Sequence, residues 1–137
     1  MRAAHYLHDC TGPDDRLLVL GYYPELFVLA HRGFAAGAPW ILPEYFTSVA
    51  HQRQMIARIE AHRVPIALTL PEPEYTESYV ASFPLFDAFL RLNYREVSDL
   101  VDFGNDVQFR VLVRRELTPD GTDARLGLPC FSNPTAG

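Results

Sequence analysis

The chain has 137 residues, of which 48% are hydrophobic and 21% charged, a balance that suits one globular domain and excludes a largely disordered chain. Its formal net charge is −5, from 12 Lys+Arg against 17 Asp+Glu, and all of the former are arginines. Because no basic stripe is visible, the composition argues against a nucleic-acid ligand, whose affinity depends on neutralising phosphates. No apolar run approaches the roughly 18 residues of a membrane span, so we expect the chain as given to be soluble.

The first quarter of the chain predicts two helices and a strand. Residues 2 to 9 carry apolar side chains at helical spacing, and TGPDD at 11 to 15 predicts a turn after them. LLVLG at 17 to 21 is an apolar run typical of a strand buried on both faces. Pro24 and Glu25 suit the first turn of a helix that we expect Gly33 to end. Its predicted inward side chains are Leu26, Phe27, Leu29 and Ala30.

The middle of the chain predicts a long ordered loop at 33 to 48, with a short strand at WIL, and then a helix. Thr47 or Ser48 caps this helix, which runs to about Arg63. Met55, Ile56 and Ile59 form its apolar stripe, and the side chains expected to face water are Gln52, Arg53, Arg58 and Glu60. PIALTLP at 65 to 71 predicts a second strand, residues 71 to 83 a second long loop, and residues 84 to 93 a third helix.

The last third of the chain changes period. EVSDLVDF and VQFRVLVRR both alternate and are joined by GND at 104 to 106, which predicts a β-hairpin. We assign residues 1 to 117 to a single α/β domain and expect the turn-rich residues 118 to 137 to be irregular and open to disorder. The order of elements predicts a small Rossmann-like α/β sandwich, with parallel strands, a C-terminal antiparallel hairpin and helices on the faces.

Two cysteines, Cys10 and Cys130, stand near opposite ends of the chain. Thiols without a CxxC spacing do not indicate a zinc site. The simpler interpretation is two unpaired cysteines, and the alternative is a disulfide formed in an oxidising compartment. Sequence separation does not decide between them, because the termini of a domain often lie close together.

No familiar catalytic or cofactor motif is present. The junction LGYYPEL has a single glycine followed by two tyrosines and a proline, so it lacks the glycines with which a phosphate loop approaches its ligand. The five histidines have no convincing metal-ligand spacing, and no serine lies in a G-x-S-x-G turn. We therefore predict no catalytic residue, no metal ligand and no cofactor.

Two loops offer weaker functional signals. The acidic segment with Glu72, Glu74 and Glu77 beside two tyrosines could collect a cation or sugar hydroxyls, or could simply be solvated. The aromatic loop contains Phe34, Trp40, Tyr45 and Phe46. Aromatic rings with polar neighbours suit carbohydrate or membrane-interface contact, and the alternative is that they cover the sheet edge as core.

Several of these segments together resemble one family. They are TGPDDR at 11 to 16, GYYPELFVLAHR at 21 to 32, the helix carrying Arg53, the strand PIALTL, the aromatic helix FPLFDAFLRLNY and the strand FRVLVRR. In this order, over about residues 1 to 115, the chain resembles the soluble C-terminal domain of bacterial polytopic membrane glycosyltransferases. That group takes sugars from polyprenyl-phosphate donors and includes relatives of dolichyl-phosphate-mannose protein mannosyltransferases.

The resemblance implies a non-catalytic, extracytoplasmic domain that packs on the membrane-embedded part of the same polypeptide or contacts a lipid-linked sugar or acceptor. It places the domain on the periplasmic face of the inner membrane. The residues expected to face a partner or ligand are Tyr22, Tyr23, Arg32, Trp40 and Tyr45, with Arg32 either structural or facing a phosphate. The alternative is a stand-alone α/β ligand-binding domain or enzyme that holds a sugar-phosphate or nucleotide in the crevice at its strand ends.

Overall fold

The computed structural model of the chain describes residues 2–102 and 108–133. Its helices are α1 (Arg2–Asp9), α2 (Pro24–Ala30), α3 (Val49–Glu60), a π-helix (Tyr75–Val80) and α4 (Pro84–Asn93). The strands are β1 (Arg16–Val19), β2 (Gly21–Tyr22), β3 (Gly33–Phe34), β4 (Trp40–Ile41), β5 (Ile66–Thr69), β6 (Tyr94–Asp102), β7 (Gln108–Arg114), β8 (Gly121–Thr122) and β9 (Pro129–Cys130).

A five-stranded mixed sheet in the order β3-β1-β5-β7-β6 forms the centre of the molecule. The strands β3 and β5 run parallel to β1 on its two sides, and β7 continues the sheet antiparallel to β5. The edge strand β6 pairs antiparallel with β7, as the alternating pattern predicts, while the GND turn at 104 to 106 lies outside the described residues. The prediction of an α/β fold with parallel strands and a terminal antiparallel pair is confirmed.

Each face of the sheet is covered by helices. One core cluster joins α1 and α2 to side chains such as Leu17, Val19 and Val111. The other joins α3, the π-helix and α4 to the opposite face, through side chains such as Leu18 and Ala67. The burial alternates between the faces along β1, because successive side chains of a strand point to opposite sides. The apolar runs that form β1 and β5 are therefore buried on both faces of the sheet.

Two predictions about α2 are wrong. Leu29 was expected to face inward but is 52% exposed, since this seven-residue helix buries only the narrow stripe of Leu26, Phe27 and Ala30. The helix also ends before Gly33. His31 adopts the left-handed conformation with φ 55°, and its N–H donates to the carbonyl groups of the last turn.

Gln52 of α3 was expected to face water, and this prediction is wrong. The residue is 2% exposed, and its side-chain carbonyl accepts hydrogen bonds from the backbone N–H groups of Leu85 (2.8 Å) and Phe86 (3.1 Å). Its amide donates to the carbonyl of Thr47 at 2.8 Å. Phe83, at the N-cap position of α4, offers no side-chain acceptor, so Gln52 supplies the missing cap from another helix.

The segment 71 to 83, predicted as a loop, contains the π-helix instead. Tyr75, Tyr79 and Phe83 follow one another at intervals of four residues, and the two successive pairs of rings stack with centroids 6.0 Å apart. All three side chains are buried in the second core cluster. The aromatic stack explains why this acidic, proline-rich segment is folded onto the body.

The segment after residue 117 packs on the body as far as the structure describes it. It carries the short antiparallel pair β8–β9. Phe131 is fully buried and forms an isolated parallel β-bridge with Thr11. A disulfide joins Cys10 to Cys130, so the interpretation as unpaired thiols is wrong. Tyr6 also donates to the carbonyl of Pro129 at 2.7 Å. The domain boundary at residue 117 stays a prediction.

Candidate functional site

The candidate site lies at the carboxyl ends of the parallel strands. After β1 the chain crosses to β3 on one side, and after β5 it crosses to β6 at the opposite edge of the sheet, so the connections leave the adjacent ends of β1 and β5 in opposite directions. Such a switch point opens the crevice in which α/β sheets usually bind ligands. In this chain the crevice is bordered by a two-stranded ribbon, β2 with β4, that begins directly after β1.

The ribbon and the loop that follows β4 present four aromatic side chains, which we call the aromatic surface: Tyr22, Trp40, Tyr45 and Phe46. Tyr22 is paired with Trp40 across the two strands, and the Trp40 ring lies 6.1 Å from Tyr45 and 5.5 Å from Phe46. Tyr22, Tyr45 and Phe46 are 62%, 59% and 57% exposed. Rings of this size usually bury most of their area, so their grouping on the outside indicates a contact surface.

The backbone of the loop is strained where it presents these rings. Glu44 has φ 72° and Phe46 has φ 55°, and the left-handed region disfavours residues with a Cβ atom. Each such residue costs on the order of 1–3 kcal/mol, and residues of this kind concentrate at functional sites. The loop is held at its far end by Ser48, whose hydroxyl oxygen accepts from the N–H of His51 at 3.1 Å and so caps α3.

Beneath the aromatic surface lies a pocket of about 240 Å³. Its walls are the rings of Trp40, Tyr45 and Phe46 on one side and α3 on the other. The helix contributes His51, Met55 and Arg58, which share one face because they are spaced by four and three residues. The His51 ring lies 5.2 Å from Phe46. An apolar pocket with a basic side chain at its rim suits an amphipathic ligand or a lipid surface.

Tyr23 and Tyr79 fix the ribbon from below. Tyr23 is half-buried with its ring edge-on to Phe109 at 5.0 Å, so it supports the site instead of presenting a surface. Tyr79 donates to the carbonyl of Ile41 at 2.7 Å and thereby ties β4 to the π-helix. Burial, with a smaller contribution from Tyr23, raises the pKa of Tyr79 to about 12, so this phenol keeps its proton and remains a donor.

Arg32 lies at the opposite end of the parallel strands, just before β3. It donates to the hydroxyl of Thr11 at 3.0 Å and to the carbonyl groups of His8 (3.0 Å) and Thr11 (3.1 Å). Further bonds reach the carbonyls of Ala30 and His31 at the end of α2. These contacts hold the ends of two helices together, because they satisfy carbonyl groups in and just after the last turns of α1 and α2.

Of the five residues predicted to face a partner, the structure therefore brings Tyr22, Trp40 and Tyr45 together. It places Tyr23 beneath them and Arg32 elsewhere. The helical wall of the pocket, His51, Met55 and Arg58, was not predicted, although its spacing on α3 was visible in the sequence. Phe34, another ring of the aromatic loop, packs edge-on to Phe27 at 5.8 Å and belongs to the core.

Within residues 2–102 and 108–133, no group of three or more His, Cys, Asp or Glu side chains is arranged to hold a metal ion. None of the helices in this described part is long and apolar enough to cross a membrane. Comparisons with protein-family models, with curated proteins and with solved structures find no match.

Proposed function

We propose that this chain is a non-catalytic, extracytoplasmic accessory domain of a membrane-embedded glycosyltransferase that uses polyprenyl-phosphate sugars. In this proposal the aromatic surface rests on the membrane at the edge of the catalytic unit. The observation that carries it is the exposure of Tyr22, Tyr45 and Phe46 around Trp40 on a strained loop. Tyrosine and tryptophan favour the boundary between lipid and water, where one end of the ring is apolar and the other is hydrated.

The disulfide between Cys10 and Cys130 supports the extracytoplasmic part of the proposal. Disulfides persist in oxidising compartments such as the bacterial periplasm and are rare in the cytosol of most organisms. The same bond fixes the segment 118–133 against α1, on the side of the domain that carries neither the ribbon nor the pocket.

Vesicle binding tests the proposal, and Trp40 is a site-specific probe because it is the only tryptophan in the chain. We expect its emission to shift to shorter wavelength when the chain is mixed with vesicles of phosphatidylethanolamine and phosphatidylglycerol. The double variant Tyr45→Ser with Phe46→Ser should partition at least about tenfold more weakly. Burying one large apolar side chain contributes about 1.5–3 kcal/mol, and about 1.4 kcal/mol corresponds to a factor of ten.

The matched control removes exposed apolar side chains away from the ribbon. Val28 and Leu29 of α2 are 72% and 52% exposed and do not line the pocket. The double variant Val28→Ser with Leu29→Ser should bind vesicles as the parent chain does. Equal loss in both double variants would show non-specific adsorption and would reject the aromatic surface as the contact.

A second candidate function rests on the pocket beneath the aromatic surface. Its volume of about 240 Å³ and its rim residues His51 and Arg58 favour a small phosphorylated ligand, as a stand-alone ligand-binding domain or enzyme would hold. Titration of Trp40 fluorescence with sugar-phosphates and nucleotides tests it. Saturable quenching that is lost in Arg58→Gln would favour this function over membrane contact, and no response at millimolar ligand would reject it.

A further inference from the structure

A second concave site lies apart from the aromatic surface, on the same side of the sheet as α4. It is a cleft of about 500 Å³ between the π-helix, α4 and the strands β6 and β7. Its polar lining consists of Glu72, Thr76, Asp87, Arg91, Glu96, Arg110 and Arg115, together with the tyrosines Tyr75 and Tyr94. Neither of the functions proposed above uses these side chains.

Arg110 forms the floor of the cleft. Its side chain is only 15% exposed, and its guanidinium carbon lies 4.9 Å from the centre of the Tyr75 ring. One terminal nitrogen bonds Glu72 at 2.9 Å, while Nε lies 3.7 Å from the nearest oxygen of Glu96. This Nε is buried and has no hydrogen-bond acceptor among the residues that the structure describes. A buried donor without an acceptor is costly to the folded state.

The polar groups around Arg110 are held in fixed positions. Tyr75 donates to one oxygen of Asp87 at 2.6 Å, and the other oxygen of Asp87 accepts from Arg91 at 2.8 Å. Thr76 donates to Glu72 at 2.6 Å, which leaves that carboxylate bonded on both oxygens. Carboxylates and guanidinium groups ordered in this way present planar pairs of acceptors and donors without further loss of rotamer freedom.

The charges of the cleft balance. Its lining holds three arginines, Arg91, Arg110 and Arg115, and three carboxylates, Glu72, Asp87 and Glu96. A ligand with a net charge of either sign would meet as many like charges as opposite ones. A neutral ligand that carries adjacent hydroxyl groups can instead donate to the carboxylates and accept from the guanidinium groups. Leu90 and Leu112 add an apolar patch for its C–H groups.

We infer that this cleft is a binding site for a neutral polyhydroxylated ligand, about one or two sugar units in size. The volume falls within the range of roughly 300–1,000 Å³ that small-molecule sites occupy. The inference rests on the cleft alone and does not depend on the aromatic surface or on membrane contact.

The test is a titration of the isotope-labelled full chain with methyl glycosides of glucose, mannose and galactose, followed by amide chemical shifts. We expect saturable shifts confined to the cleft, with millimolar affinity for at least one sugar. Glu72→Gln combined with Arg110→Gln removes both partners of the ion pair, so that the largely buried Arg110 is not left without its carboxylate. This double variant should bind at least tenfold more weakly, as should Glu96→Gln, whose side chain is 37% exposed and tolerates the change.

Two control variants separate the possible results. Glu77→Gln lies on the π-helix outside the cleft and should keep the parent affinity. Trp40→Phe should also keep the parent affinity, because Trp40 does not line the cleft. A failure of the membrane proposal would therefore leave this inference unchanged. No saturable shift with any of the three sugars would overturn the inference. So would preferential binding of inorganic phosphate or ethanolamine in the cleft, or equal sugar affinity in the parent and in both cleft variants.

Discussion

Replacing Gln52 by methionine tests whether one buried side chain caps α4 across the gap between two helices. Methionine keeps the length of the side chain and removes its polar atoms. The backbone N–H groups of Leu85 and Phe86 would then lose their acceptor, and the carbonyl of Thr47 would lose a donor. Because Phe83 offers no side-chain acceptor at the N-cap, α4 has no local replacement.

The size of the effect follows from the burial of these groups. A buried donor left without an acceptor costs about 1–3 kcal/mol. The N–H of Phe86 is buried, whereas Leu85 is 37% exposed and water can reach its surroundings. One full penalty and one reduced penalty give an expected loss of about 2–4 kcal/mol. That is a large share of the 5–15 kcal/mol typical of a folded domain.

Urea unfolding followed by circular dichroism measures this loss. The midpoint should fall without a change in the slope, since the surface exposed on unfolding is the same. Gln54→Met, on the exposed side of the same helix, is the control and should change the free energy of unfolding by less than about 0.5 kcal/mol. If Gln52→Met behaved like this control, the cross-helix cap would contribute nothing and the reasoning would be refuted.

Three further predictions concern the disulfide, the buried phenols and the strained loop. Replacing Cys10 and Cys130 by serine should lower the free energy of unfolding by about 2–4 kcal/mol, because the bond spans 120 positions of sequence; reductant should have the same effect on the parent chain and none on the variant. Burial raises the pKa of Tyr79 and Tyr94 from 10.0 to about 12, so these phenols should not change the free energy of unfolding at pH values well below 10 and should lower it as pH rises towards 12; a flat profile between pH 10 and 12, measured by urea unfolding, would contradict the burial of these hydroxyls. Glu44→Gly should raise the free energy of unfolding by about 0.5–1 kcal/mol, because glycine adopts φ 72° without strain. A decrease in the free energy of unfolding would show that the loop is not strained at this residue.

The sequence predicts those parts of the fold that depend on local pattern. The third predicted helix, residues 84 to 93, coincides with α4, and the two apolar runs are the buried parallel strands β1 and β5. The helix shows the period of its single buried face, and the two strands are unbroken apolar runs because both of their faces are buried, so both patterns are visible without knowledge of the partner.

The errors in the prediction have long-range causes. Gln52 is buried because a helix that starts 32 residues later lacks its own cap, and no local pattern records that need. The stack of Tyr75, Tyr79 and Phe83 did have a signal, the repeated spacing of four, but the acidic and proline-rich composition around it indicated a loop.

The candidate site was predictable only in part. Trp40 and Tyr45 lie in one aromatic loop, so their proximity was expected, whereas Tyr22 joins them through the pairing of β2 with β4. Arg32 was grouped with Tyr22 because both belong to one short motif. A helix and a turn carry the chain from one end of the parallel strands to the other between these two residues, so they lie at opposite ends of those strands.

The most direct test of the proposed membrane contact is quenching of Trp40 by spin-labelled lipids. Vesicles that carry the label near the headgroups should quench the emission of Trp40, and labels deep in the acyl chains should quench it much less. That result would place the aromatic surface at the lipid–water interface. Emission that no spin-labelled lipid quenches, and that aqueous iodide quenches equally with and without vesicles, would contradict the proposal.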